Sequence, residues 1–228
     1  MKKRVTLVIT NPMQMDIVVK EGSLKKIQKR LKRRWRNKMK ELKEYRNKVI
    51  FSMIPEGVET ILDIGHKENM FKEDYKVTTL DVMGEADILQ DLNKNQKLDL
   101  EDNSFDIVVV NQILEHLTDV EEIISECKRV SKKYILVGLP NEFTYGARIK
   151  FLFGKLDGTG YLPYWHKHRF NIKEIYNFIN RFFGEYEKKE YLGAFSFAGY
   201  LPDNIRHFAA KNYPELFSKE MYFLVKVK

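Results

Sequence analysis

Apolar residues in the middle of the chain form short unbroken runs that predict strands. The runs at residues 60–65, 76–81 and 105–110 are rich in β-branched residues. The third run lacks polar alternation, which predicts a central parallel strand covered on both faces. Shorter runs at residues 86–89 and 134–137 and β-rich stretches at residues 185–192 and 221–228 bring the number of predicted strands to seven.

Helical spacing of apolar residues appears at four places. A long helix with Ser23 as its N-cap is predicted to carry an apolar stripe from Leu24 to Val49, and further helices are predicted over residues 118–130, 143–154 and 172–182. Thr118 and Glu121 have capping-box spacing, and Asn171 is the predicted cap of the last helix. Glu126 and Arg129 are interpreted as solvated neighbours. The apolar stripe of the long helix consists of Leu24, Ile27, Leu31, Trp35, Met39, Leu42, Tyr45 and Val49.

Basic charge is concentrated in the long helix. Residues 20–48 contain 14 Lys and Arg and three acids, a local charge of +11, whereas the whole chain carries +8. One interpretation is that the apolar stripe packs on the domain or forms a homodimer, while the charges are solvated. The other is that the helix binds the phosphates of RNA or of an anionic membrane surface. The sequence leaves both open.

Cellular location is constrained only weakly. Cys127 is the single cysteine, so no intramolecular disulfide is expected, and it is interpreted as a small buried residue. The apolar run after Met1 is too short for an export signal, and no run reaches the ~20 residues that span a bilayer. We expect a cytoplasmic protein, with peripheral membrane association left open.

Polar residues follow the predicted strands in a fixed order. The motifs are Leu62-Asp63-Ile64-Gly65, Leu80-Asp81, Asp91-Leu92, Ile113-Leu114-Glu115-His116-Leu117 and Leu139-Pro140-Asn141. In order and spacing, over roughly residues 55–171, they resemble the class I S-adenosylmethionine-dependent methyltransferases, of the type 11 kind. The resemblance implies an α/β fold with a Rossmann-like, seven-stranded, mostly parallel sheet and helices on both faces. In such a sheet the last two strands are commonly antiparallel.

The resemblance also implies S-adenosylmethionine as cofactor, lying across the carboxyl ends of the first, second and fourth strands. In that arrangement Asp63, Gly65 and His66 border the methionine end. Asp81 binds the ribose, with Val82 beside it. Asp91 and Leu92 bind the adenine, although Asp91 could equally cap the next turn. Asn111 forms the floor.

The sequence departs from the family pattern directly after Gly65. The family usually has further glycines here, whereas this chain has His66, Lys67, Glu68 and Asn69. A crossover helix would have to fit within residues 69–75, which allows two turns at most. A non-catalytic polyanion-binding module on a decayed methyltransferase fold is therefore kept as an alternative.

Domain organisation and acceptor follow from the remaining motifs. Residues 1–54 are predicted to form a strand and a basic helical arm, and residues 55–228 the methyltransferase domain, with a lid and substrate region at about residues 142–171. The acceptor is expected to be a small molecule or a glycan- or lipid-linked precursor, with RNA as the alternative. Neither the acceptor atom nor the oligomeric state follows from the sequence.

Histidines in the last part of this region are the candidate catalytic groups. The stretch from His166 to Asn171 resembles a His-x-Arg-Phe turn of the family, and His168 is the candidate base or substrate-orienting residue. His166 and His168 would face the same side of an extended segment. Because no cysteine or acidic motif lies near them in the sequence, no metal site is predicted.

Overall fold

The computed structural model describes residues 24–65, 70–154, 166–193 and 202–227. Three predictions lie outside these residues: the strand near the start of the chain, the site residue His66, and the loop at residues 155–165 within the predicted lid. No helix among the described residues is long and apolar enough to cross a membrane.

A seven-stranded sheet forms the centre of the molecule, in the order β3-β2-β1-β4-β5-β7-β6. Strands β1 to β5 pair in parallel, whereas β7 is antiparallel to both β5 and β6. This confirms the predicted fold class and the antiparallel last pair. The strands are β1 (Thr60–Ile64), β2 (Lys76–Asp81), β3 (Ile88–Leu89), β4 (Phe105–Asn111), β5 (Ser131–Pro140), β6 (Lys188–Gly193) and β7 (Ser218–Lys226).

Six α-helices and a short 3-10 helix lie among the described residues. The helices are α1 (Leu24–Phe51), α2 (Glu121–Val130), α3 (Tyr145–Leu152), α4 (Ile172–Phe182), α5 (Asp203–Asn212) and α6 (Pro214–Phe217), and the 3-10 helix is Leu114–His116. Helix α4 begins and ends where the periodicity predicts. Asn171 and Glu174 form a capping box at its start, with each side chain accepting the other's backbone N–H.

Both faces of β4 are covered, as its unbroken apolar run predicts. Residues 105–110 of this strand are all buried. Val108 and Val110 face the core shared with α2 and α4, while Ile107 and Val109 face the core on the opposite side, to which α1 contributes. The carboxyl end of β4 therefore lies at an edge of the sheet that is supported from both faces.

Helix α1 covers one face of the sheet with its second half. Leu42, Tyr45, Val49 and Ile50 are buried, and the last three pack with Ile61 and other residues of that face. The side chains of the first half of the apolar stripe, from Leu24 to Met39, lie outside the described residues. The second half of the apolar stripe therefore packs on the sheet, as the first of the two interpretations of this helix expects.

The crossover between β1 and β2 contains only turns within residues 70–75. The Tyr75 N–H donates to the Phe71 carbonyl at 3.0 Å, and Phe71 is buried against Phe51 of α1, with ring centroids 5.4 Å apart. Since so short a segment cannot cover the sheet, α1 supplies most of the helical surface on this face.

Two sequence interpretations of α2 are wrong. The Thr118 hydroxyl binds the Asn93 side chain, and the amide oxygen of Gln96 accepts the Ile123 N–H near the helix start, so the Thr118 capping box does not form. Arg129 is not a solvated neighbour. Its guanidinium pairs with Glu126 at 2.7 Å and donates to the carbonyls of residues 98 and 100. This pair fixes the loop that leads into β4.

Asp106 joins the starts of β1 and β4. Its Oδ2 accepts hydrogen bonds from the Glu59 N–H, the Thr60 N–H and the Thr60 hydroxyl, each at 3.0 Å. Lys133 of β5 lies 3.4 Å from its Oδ1. Burial alone would raise the pKa of this carboxyl group, but the three hydrogen bonds and Lys133 outweigh it and lower the pKa to about 2.

Candidate functional site at the carboxyl edge of the sheet

Gly65 brings the exits of three strands together. It has a positive φ of +79°, and its N–H donates to the Leu80 carbonyl of β2 at 2.9 Å. A Cβ at this position would lie 3.0 Å from the Cβ of Ile113, which follows β4. Glycine is therefore required both by the backbone conformation and by the close approach of β4. Asp63, two residues earlier in the chain, is buried within β1.

Asp81 ends β2 and folds the next residues around its carboxylate. Its Oδ1 accepts the N–H groups of Val82 at 2.6 Å and Met83 at 3.3 Å. Its Oδ2 accepts no hydrogen bond from a described residue. The side chains of Val82 and Met83 are 54% and 72% exposed, so an apolar surface lies next to the carboxylate.

Asp91 adopts the turn-capping role. Its carboxylate accepts the Asn93 N–H at 3.0 Å and pairs with Lys94 at 3.2 Å, and both contacts lower the pKa of Asp91. The Leu92 side chain is buried in the core. What this loop offers to a ligand is therefore the partly exposed carboxylate and the backbone at Leu92.

Unpartnered polar atoms mark the end of β4. Asn111 Oδ1 and Gln112 Nε2 are buried and make no hydrogen bond within the part of the chain that the structure describes. Gln112 has a φ of +56°, which is uncommon for a residue other than glycine, and its N–H donates to the Gly138 carbonyl at 3.0 Å. Strained residues with unsatisfied polar groups are enriched at functional sites.

Gly138 of β5 makes room for this arrangement. A Cβ at Gly138 would lie 2.5 Å from Asn111 Oδ1 and 2.8 Å from Cε1 of Tyr222. The Tyr222 hydroxyl donates to the buried Glu220 carboxylate at 2.6 Å. Burial and then the Glu220 charge raise the pKa of Tyr222. Because Gly138 has no side chain, the side chains of Asn111 and Tyr222 can both lie close to its Cα.

A cluster of acidic and histidine side chains lies directly after β4. The Glu115 carbonyl accepts the N–H groups of Lys167 at 2.7 Å and His168 at 3.2 Å, which fixes residues 166–168 against the 3-10 helix. His166 Nδ1 lies 2.5 Å from Oε1 of the buried Glu142. The His116 and His166 rings meet edge to face, with centroids 4.6 Å apart. We call Glu115, His116, Glu142 and His166 the Glu/His cluster.

His168 adds a further unpartnered atom to the same region. Its Nε2 is buried and makes no hydrogen bond to any residue within the described ranges. Its ring lies parallel to that of Phe170, with centroids 6.4 Å apart. The backbone and ring contacts hold the imidazole in place, with the hydrogen-bonding capacity of Nε2 unsatisfied by the described residues.

Residues 67–134 match a family model described as a methyltransferase domain. The match covers less than a third of the chain, and it shows that this stretch is similar to methyltransferase domains. No protein of curated function matches the chain by sequence.

Solved structures of methyltransferases share the fold. One, an S-adenosylmethionine-dependent methyltransferase of Archaeoglobus fulgidus, has a TM-score of 0.56 and 20% identity, over 82% of this chain and 93% of that chain. Another, of Thermotoga maritima and described as a possible histamine N-methyltransferase, has a TM-score of 0.55 and 16% identity, over 80% and 87%. A third, of Mesorhizobium loti, has a TM-score of 0.50 and 15% identity, over 77% and 94%.

Three features of this edge of the sheet are compatible with an adenosyl ligand. Gly65 makes the tight turn at the exit of β1, and the unpartnered atoms of Asn111 and Gln112 lie at the adjacent strand end. Asp81 keeps one carboxylate oxygen available beside an exposed apolar surface. The predicted residues that are described, from Asp63 to Asn111, all lie at the ends of β1, β2 and β4 or in the loop after β3.

Sequence reasoning missed Gln112, Gly138, Glu142 and Tyr222. Glu142 directly follows the Leu-Pro-Asn motif, and that position is the only signal that could have drawn attention to it. It is 24 residues from His166 in sequence, so their contact depends on the tertiary fold. Cys127 is buried as predicted, and burial raises its pKa to about 12, so the thiol is neutral and unreactive.

Proposed function

We propose that this protein is an S-adenosylmethionine-dependent methyltransferase that transfers the methyl group to a hydroxyl or amine of a small-molecule acceptor, free or carried on a glycan or lipid. The observation that carries the proposal is the buried, unpartnered Nε2 of His168 beside the Glu/His cluster. A polar acceptor group would satisfy this nitrogen, whereas an apolar one would leave it without a hydrogen bond.

Cofactor binding is proposed to follow the sequence motifs. Asp63 and Gly65 border the methionine end, with His66 assigned there by sequence alone. Asp81 Oδ2 accepts the ribose hydroxyls. Val82 flanks the adenine, whose edge meets Asp91 and the backbone at Leu92. Asn111 forms the floor. The exposed apolar surface after Asp81 supports the assignment, since a planar aromatic ligand would cover it.

Bound S-adenosylmethionine supplies an already activated methyl group on a sulfonium. The chain's own residues then need to align the acceptor with that group and exclude water. His168 is proposed to accept a hydrogen bond from the attacking hydroxyl or amine, which points the lone pair of the acceptor toward the cofactor. Its rigid backbone anchoring to Glu115 supports this orienting role.

Calorimetric titration with S-adenosylmethionine tests the cofactor assignment. Asp81→Ala should abolish or strongly weaken binding. Asp74→Ala is the matched control, because Asp74 is an exposed acid just before the opposite end of β2. Binding by Asp81→Ala with unchanged affinity would remove the assignment. Absence of binding by the unaltered protein would favour the non-catalytic alternative.

Methyl-labelled cofactor tests the acceptor class. The protein is incubated with labelled S-adenosylmethionine and separated small-molecule, lipid and RNA fractions of a cell extract. Label is expected in the small-molecule or lipid fraction, and it should fall with His168→Ala but not with His207→Ala, a partly exposed histidine on α5. Label found in RNA alone would refute the proposed acceptor class.

RNA or an anionic membrane surface is the second candidate partner, through the basic half of α1. Arg33, Arg36 and Lys40 are exposed there, beyond the half that packs on the sheet. Binding to RNA or to anionic vesicles should weaken steeply with salt. The competing proposal is a homodimer through α1, which sedimentation would detect as a change in mass with concentration.

A further inference from the structure

We propose that Glu115, His116 and His166 bind a divalent transition-metal ion, with Glu142 orienting His166 from the outer shell. Metal binding by the Glu/His cluster stands on its own geometry. Its role in catalysis rests on the proposed function. Neither the family motifs nor the acceptor argument requires such a site.

The first support is the convergence of three ligand types. One ligand atom from each of Glu115, His116 and His166 lies within 4.8 Å of the other two. Bond lengths of ~2.0–2.2 Å to a tetrahedral ion place the ligand atoms roughly 3.4 Å apart. The three side chains therefore need to move inward by only about 1 Å each to bind an ion. Two imidazoles and one carboxylate are a common set for zinc and non-haem iron.

The second support is the contact between His166 and Glu142. In the tautomer with the proton on Nδ1, His166 donates to the buried Glu142 carboxylate 2.5 Å away, and Nε2 is then the ring nitrogen that can bind an ion. Metal-binding histidines usually donate their other N–H to such a carboxylate, which fixes the ring and strengthens the ligand. Glu142 has this position relative to His166.

The third support is that the cluster is held before any ion arrives. The Glu115 carbonyl binds the backbone of residues 167 and 168, and the Glu142 N–H donates to the Phe170 carbonyl at 3.0 Å. These bonds tie together three segments: the one after β4, the one after β5 and the turn before α4. Both glutamates are buried, and a buried carboxylate is stable where it is hydrogen-bonded, paired or bound to a cation.

Three protein ligands leave a coordination position open, as in catalytic rather than structural sites. An acceptor hydroxyl in that position would have its pKa lowered by the ion. Its O–H bond then breaks and the proton passes to solvent water. The electron pair of the oxygen forms the bond to the methyl carbon, and the carbon–sulfur bond breaks to leave a neutral thioether. The site therefore favours a hydroxyl acceptor over an amine.

Equilibrium dialysis with Zn²⁺ and Mn²⁺ tests the site on the full chain, without a histidine tag and after removal of metal by a chelator. One ion per chain is expected. His116→Ala with His166→Ala should abolish binding, Glu142→Gln should weaken it about 10-fold to 100-fold, and His207→Ala should leave it unchanged. Equal binding by the double variant, or loss of binding in His207→Ala alone, would overturn the proposal.

Two further measurements keep the result interpretable. The visible absorption of Co²⁺ added to the unaltered chain reports nitrogen ligation without any substitution, so it is informative even if the double variant fails to fold. A spectrum identical to that of free aqueous Co²⁺ would overturn the site. Titration with S-adenosylmethionine in the presence of chelator separates the two proposals. Cofactor binding without any metal binding refutes the metal site alone, and metal binding without cofactor binding refutes the cofactor assignment alone.

Discussion

Replacing Asp106 by Asn should destabilise the protein, and by an amount that depends on pH. The carboxylate accepts three hydrogen bonds at the start of β1 and pairs with Lys133. Its pKa falls from 3.8 to about 2 in the folded protein. One pKa unit corresponds to ~1.36 kcal/mol, so the ionised group contributes about 2 kcal/mol to the free energy of unfolding.

The sign of the pH dependence follows from the lowered pKa. The contribution is fully present above pH 3.8, the ordinary value, and is lost as the pH falls through about 2. Asp106→Asn cannot show this loss because its side chain does not ionise. The difference in unfolding free energy between the two proteins should be about 2 kcal/mol at pH 7 and pH 5, and should narrow steadily below pH 4.

Urea unfolding at several pH values between 7 and 3 measures this difference. Asp99→Asn is the control, because Asp99 is exposed and the same substitution there should change stability by less than about 0.5 kcal/mol. A difference that stays constant from pH 5 to pH 3 would refute the electrostatic reasoning. Equal stability of the two variants at pH 7 would refute the structural role of Asp106.

Three other substitutions test the packing around the site. Gly138→Ala should lower the unfolding free energy by about 1–3 kcal/mol and weaken S-adenosylmethionine binding, because the new methyl group displaces Asn111; unchanged calorimetric affinity would contradict this. Arg129→Ala should cost about 2–3 kcal/mol in urea unfolding, and a cost below 0.5 would return Arg129 to the solvated interpretation. Gly65→Ala should lower the unfolding free energy by roughly 1–2 kcal/mol because of its positive φ, and it should reduce cofactor affinity. An unchanged affinity in calorimetric titration would contradict the assignment of Gly65 to the cofactor site.

Elements set by local sequence could be predicted closely. Strand β2 and helix α4 have the predicted bounds, because β-branched runs and an Asn cap act within a few residues. Strand β5 extends several residues beyond its apolar core in both directions, since pairing with β4 and β7 continues the ladder through polar positions. The seven-stranded, mostly parallel sheet was expected from the family resemblance, whereas the order of its strands was not predicted.

The Glu/His cluster could not be predicted, because its members come from separate segments. No acidic motif lies near His166 in the sequence. The fold brings Glu115 and Glu142 to it from the exits of β4 and β5. Arg129 likewise finds its partners in a loop about 30 residues earlier. Periodicity describes one element at a time, and these contacts join different elements.

The second half of α1 is part of the wall of the sheet domain. A shortened protein beginning at Pro55 would leave Ile61, Ile107 and Val109 facing water on one side of the sheet. Exposed apolar strands of this kind lead to aggregation. The basic segment can therefore be altered in charge, but its second half cannot be deleted as though it were an accessory tail.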